Sequence, residues 1–191
     1  FLPVGRGLVE LVRVACPQTL ALLKVLTGLQ SLVPVEISAD HLQDAADHVA
    51  REYSHLDVIP VVADFTGEIT LPSDLSDAPK ILFFPGSTIG NFEIDGAAQL
   101  LRRMRKMAGV SAFVVGVDLV KDADILVRAY DDPKGVTAAF NLNLLTHINR
   151  DLGAGFDLSG LKHEARRMVE PNRLEIRMVC QGAPNVKLKG P

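Results

Sequence analysis

Four residues able to bind a small molecule stand at or near the ends of apolar runs: Glu36, Asp64, Asn91 and Asp118. Carboxylates and amides can hold hydroxyl, amine or carboxylate groups without covalent chemistry. Ligands of open α/β sheets bind outside the carboxyl ends of the strands, so these positions together say more than any one alone. The fullest signal is Ile81 to Phe92. It opens as an apolar run, breaks at Pro85-Gly86 into a polar loop with Gly90, and passes Glu93 and Asp95 into a helical pattern. Such a stretch forms either a small-molecule site or a plain tight turn, and the pattern alone leaves both open.

Other reactive side chains point to ordinary structural roles. His41, His48, His55, His147 and His163 lack the spacing of metal ligands, and no metal site is expected. His41 and His48, seven apart, share an exposed helix face. Asp131-Asp132 reads as a helix-end turn rather than a catalytic pair, and Asp118 reads equally as a site residue or a cap. Tyr53 reads as packing at a helix end. Cys16 has no base nearby in sequence, which argues against a nucleophile. The basic run Arg102 to Lys106 reads as a solvated helix face.

The elements that must position these residues alternate. Val9 to Ala15 predicts a strand, Pro17 starts a helix that Gly28 could end, and Leu32 to Ile37 is a second strand. Ser38 caps a helix with Leu42, Ala45, Ala46 and Val49 at helical spacing. Val58 to Val62, Ile81 to Phe84 and Ala112 to Leu119 are three more strands, with a polar loop from Gly67 to Pro79 and a helix from Ala97 to Met107. Strands apolar nearly throughout, alternating with helices, describe a parallel sheet covered on both faces. After Asp118 the pattern changes. Helices are expected over Ala123 to Tyr130, Val136 to Leu152 and Leu161 to Val169, with a half-exposed strand at Leu174 to Met178 and a further one starting near Lys187. Phe140, Leu144, Ile148 and Leu152 share one face of the second helix. This portion predicts an α+β accessory lobe. The boundaries are 1–120 for the sheet and 121–191 for the lobe.

Composition narrows the function. A net charge of −3 argues against a nucleic-acid partner. Two cysteines are too few for a disulfide framework and fit a cytoplasmic protein. No apolar stretch is long enough for a membrane span. The chain starts at Phe1, without methionine, and is expected to be a fragment.

At Phe83 to Phe92 the sequence resembles the histidine-specific, S-adenosylmethionine-dependent N-α-methyltransferases of ergothioneine biosynthesis. Val62 to Thr66, Gly116 to Asp122, Ala129 to Asp132, Gly135 to Asn141 and Ile148 to Arg150 resemble further motifs of that family, in the same order. The resemblance implies a class I methyltransferase, Rossmann-like parallel sheet with a substrate-binding lobe. It implies methyl transfer from S-adenosylmethionine to the α-amino nitrogen of L-histidine, giving hercynine; a monomer is expected. Glu36 would hold the cofactor ribose, where the family usually has aspartate, and Asp64 and Phe65 would contact its adenine end. Gly86, Asn91, Tyr130 and Ile176 would face histidine. No dedicated general base is assigned.

Two departures qualify those expectations. Val12 and Val14 stand where the family carries the glycines of a cofactor-covering loop, and Gln18 where it carries a lysine. Valine is poorly suited to positive φ or close backbone approach, so weakened cofactor binding is expected. The terminal segments that complete the family's sheet and histidine pocket also lie outside this sequence. The alternatives are a non-catalytic chain that keeps the fold, or an N-methyltransferase for another amino acid or amine.

Overall fold

The computed structural model describes residues 7–11, 16–170, 172–180 and 182. Val12, Val14 and the strand expected near Lys187 lie outside the described residues. The chain divides into two compact units, Phe1–Asp118 and Leu119–Pro191.

The first unit is built on parallel strands β1 (Gly7–Leu11), β2 (Ser31–Glu36), β3 (Asp57–Val58), β4 (Val61–Val62), β5 (Lys80–Phe84) and β6 (Val110–Val115). Their order is β3-β2-β1-β5-β6, with β4 also on β2. β3 and β4 are two pieces of the single strand the sequence predicts. The break falls at Ile59-Pro60, opposite Pro34 of β2, where neither proline has an N–H to give the ladder.

Alternate residues of these strands feed two cores, as period-two geometry requires. Leu8, Leu32, Ile81 and Phe83 pack with Leu23 of α1 (Pro17–Leu23), Val49 of α2 (Ala39–Glu52) and Tyr53 just after α2. Val9, Val33, Leu82 and Phe84 pack with Leu100 and Met104 from α4 (Ile94–Lys106), and with Leu75 from α3 (Ser73–Ser76). Burying each such side chain contributes about 1.5–3 kcal/mol. Helix α1 ends at Leu23, five residues before Gly28. The Val25 N–H bonds the Leu22 carbonyl, three residues back, and this tighter turn brings Leu29 into the core. Strand β6 ends at Val115, short of the predicted Leu119. Arg102, Arg103, Arg105 and Lys106 are exposed around buried Met104.

The amino edge of the sheet is closed by a buried lysine. Lys80 Nζ donates to the carbonyls of Ser76 (2.9 Å) and Ala108 (2.6 Å). Desolvation holds this ammonium below the ordinary lysine value.

In the second unit, α5 (Ala123–Tyr130) is capped by Asp122, whose carboxylate accepts from Asp124 N at 2.8 Å. Asp132 accepts from the N–H groups of Val136 and Thr137, the first two residues of α6 (Val136–Asp151), at 3.0 and 2.9 Å. The pair Asp131-Asp132 is therefore a turn between two helices. The helix expected over Leu161 to Val169 is instead strand β7 (Leu161–Met168), antiparallel to β8 (Arg173–Cys180). The reason is its alternation. His163 and Ala165 are buried on one face, while Lys162 and Arg166 on the other are exposed and Glu164 is half-buried. Phe140 and Leu144 of α6 and Leu152 just after it are exposed, and Ile148 is half-buried.

Candidate functional site

Because the strands of the first unit are parallel, their carboxyl ends share one edge. Strand order reverses direction between β1 and β5, the topological switch point at which such sheets bind ligands. The ends at that point are Leu11 and Phe84, and the loop after Phe84 is the one singled out in the sequence.

That loop is a constrained structure. Gly86 has φ +74°, and Ser87 follows at φ +58°, the one positive-φ residue other than glycine among the described residues. A left-handed serine costs about 1–2 kcal/mol and persists only where its surroundings enforce it. Here Ser87 Oγ accepts from the Asp118 backbone N–H at 2.9 Å, tying the loop to the chain leaving β6. Thr88 Oγ1 donates to the Pro85 carbonyl at 3.2 Å. A 3-10 turn over Thr88–Asn91 ends the loop, with Asn91 exposed and its side-chain amide bonded to no described residue. Beneath it, the rings of Phe65, Phe84 and Phe92 cluster, with Phe65 centred 5.5 Å from Phe84 and 6.3 Å from Phe92.

The other predicted residues of this unit lie on the same edge. Glu36 closes β2, and its Oε1 accepts from the N–H groups of Ile37 (2.8 Å) and Ser38 (3.3 Å). Ser38 is the N-cap of α2 but caps with its backbone alone, its carbonyl accepting from Leu42 N. Asp64 is exposed, and Oδ1 accepts from Thr66 N at 2.8 Å. Hydrogen bonds from the Thr66 side chain and backbone hold the Asp64 carboxyl below the usual carboxylate range. Each carboxylate thus spends one oxygen on its own turn. Both carboxylates stay at the carboxyl edge as acceptors, the chemistry that suits a ligand rich in hydroxyl and amine groups. Phe65 is half-buried, its ring part of the cluster. Tyr130 and Ile176 belong to the second unit. They stand at the end of α5 and on β8, 44% and 41% exposed.

Sequence reasoning missed three features. One is Ser87, left-handed in its backbone and bonded through its side chain to a residue 31 positions away. The second is Glu10 in β1, fully buried, whose Oε1 accepts from the Thr19 hydroxyl and, at 3.6 Å, from the Cys16 thiol. That cluster fastens the start of α1 to β1 and gives Cys16 a structural place; a glutamate between valine and leucine could have signalled it. The third is a cavity of about 450 Å³ over Ile69, Leu71, Met104 and Met107, which contains none of the predicted residues. Among the described residues no cluster of three histidine, cysteine, aspartate or glutamate side chains could hold a metal ion. No helix among them is long and apolar enough to cross a membrane.

An open parallel sheet in this order, with helices packed on both faces, defines a doubly wound, Rossmann-like α/β protein. The chain belongs to the histidine-specific, SAM-dependent methyltransferase family, which matches residues 4–190, and its sheet is that of a class I methyltransferase. It is 40% identical over 166 residues to the histidine N-alpha-methyltransferase of Mycobacterium tuberculosis, covering 84% of this chain and 50% of that protein. The Mycolicibacterium smegmatis protein of the same name is 35% identical over 161 residues, with 84% and 50% covered. Ergothioneine biosynthesis protein 1 of Neurospora crassa is 26% identical over 160 residues, 80% of this chain and 18% of that one. The chain spans about half the length of the two mycobacterial relatives.

Proposed function

We propose that this chain transfers methyl groups from S-adenosylmethionine to the α-amino nitrogen of L-histidine, acting as a cytoplasmic monomer. One observation carries the reading: a chain of this family presents, at the switch point of its sheet, a strained loop with an exposed, uncommitted amide at Asn91.

Glu36 and Asp64 would take the ribose and adenine ends of the cofactor, and the Phe65 ring would border the base. When bound, S-adenosylmethionine supplies a methyl group already activated on a sulfonium. The protein's task is then alignment of an uncharged amine, which binding in one geometry provides. Asn91 can accept from the amine with its oxygen and donate to the substrate carboxylate with its nitrogen. Gly86, without a side chain, leaves the backbone open to close approach. Tyr130 would stabilise the forming ammonium by cation–π contact, worth about 0.5–2 kcal/mol. Ile176 would offer an apolar wall. An α-amino group loses its proton not far above neutral pH, so no strong base is required.

Val12 and Val14, in place of the expected glycines, favour a second reading: a chain that keeps the fold without catalysis. Mass spectrometry of the chain with S-adenosylmethionine and a panel of amino acids separates them. Trimethylhistidine as sole product supports the first reading. A different methylated amine redirects the substrate, and a folded chain that forms no product supports the second.

A further inference from the structure

His163 is the one buried histidine among the described residues, and both of its ring nitrogens are engaged. Nε2 lies 2.7 Å from the carbonyl oxygen of Tyr130, and Nδ1 lies 3.0 Å from Asn141 Nδ2. A carbonyl only accepts, so Nε2 carries the proton and donates; Nδ1 accepts from the Asn141 amide. The Tyr130 carbonyl belongs to the last residue of α5, where no intrahelical donor remains. The next residue closes the turn, the Asp131 N–H donating to the Val127 carbonyl at 2.7 Å. One imidazole on β7 thus joins the end of α5 to α6. The hairpin register places His163 opposite Met178, on the face that also carries Ile176.

We propose that His163 is a positioning residue for Tyr130. Tyr130, the last residue of α5, is 44% exposed. Its direction is set through its backbone, and His163 is the side chain that holds that backbone. Loss of the ring would free the last turn of α5, and with it the aromatic face offered to the substrate. The consequence for substrate rests on the reading of Tyr130 as a histidine contact; the positioning itself does not.

The chain has two tyrosines and no tryptophan. With Tyr53→Phe in the full chain, time-resolved tyrosine anisotropy reports Tyr130 alone. His163→Leu is expected to raise the amplitude of fast depolarisation about twofold and to weaken histidine binding about five- to tenfold, as loss of a buried hydrogen-bonded group would. The loss falls on KM more than on kcat. His163→Gln, whose amide nitrogen can reach the Nε2 position, returns the anisotropy toward the parent. A folded His163→Leu chain with unchanged Tyr130 anisotropy overturns the proposal. If His163→Leu does not fold, Asn141→Ala decides: it leaves the ring in place but removes its second anchor, and unchanged Tyr130 mobility there overturns the proposal equally. Tyr130→Leu tests the substrate reading separately. Unchanged histidine binding in that variant removes Tyr130 from the substrate, while the anisotropy still judges His163.

Discussion

Gly116, just past the end of β6, offers the sharpest test of how the loop is held. A Cβ at this position would lie 3.2 Å from the Gly86 nitrogen, 3.4 Å from Pro85 Cα and 3.5 Å from the Pro85 carbonyl carbon. All three are backbone atoms, so no rotamer change can relieve the approach. The loop must retreat by a few tenths of an ångström. It has little freedom to do so. The Gly116 N–H donates to the Phe84 carbonyl at 2.9 Å, and Asp118 N is bonded to Ser87 two residues on. Inserting one methyl group into such a contact costs about 1–2 kcal/mol. Reduced freedom of the unfolded chain returns about 0.4–1 kcal/mol. Gly116→Ala should therefore lose about 0.8 kcal/mol net at the middle of each range, a fall in Tm of about 2–3 °C. The displacement lands on Gly86, so histidine affinity should fall further than stability, by about tenfold. Gly155→Ala is the matched control, because nothing lies within 4 Å of its added Cβ. Calorimetric melting and titration with histidine read both quantities. If Gly116→Ala melts no lower than the parent and binds as tightly, the close approach of β6 to the loop does not govern the site.

Two further outcomes follow from the packing. The two N–H groups at the start of α6 hold the Asp132 carboxyl down to about 2 from an ordinary 3.8. A depressed carboxylate stabilises the fold above its ordinary value and loses that contribution as pH falls through the folded one. Amide-exchange protection at Val136 and Thr137 should therefore drop between pH 3.8 and about 2 in the parent, and be pH-insensitive there in Asp132→Asn; identical profiles would exclude the cap. The Tyr53 hydroxyl is buried and meets no described partner. Tyr53→Phe should hold or raise stability by about 1 kcal/mol in a denaturant titration, and a marked loss would mean that the hydroxyl is bonded after all.

The alternating pattern from Val9 to Val115 was legible because parallel strands buried on both faces read as unbroken apolar runs, and helices between them bury one stripe. Glu36, Asp64 and Asn91 were legible as strand-end polar residues for the same reason. Leu161 to Val169 was misread as a helix because its short run of charged residues hides a period of two. That period becomes visible only when β8 pairs with it and α5 and α6 cover one face.

What the amino-acid order determined by itself was local and periodic: the alternation of strands and helices through the first unit, and the motifs that mark the family. What only the tertiary structure decided were relations between distant residues. Left-handed Ser87 is bonded to Asp118, Gly116 must be small because Pro85 and Gly86 crowd it, and the Tyr130 carbonyl is held by a histidine 33 residues further along the chain. Periodicity carries information over one or two turns of chain. These contacts are set by the order of strands in the sheet and by the packing of helices on a hairpin, which no local spacing encodes.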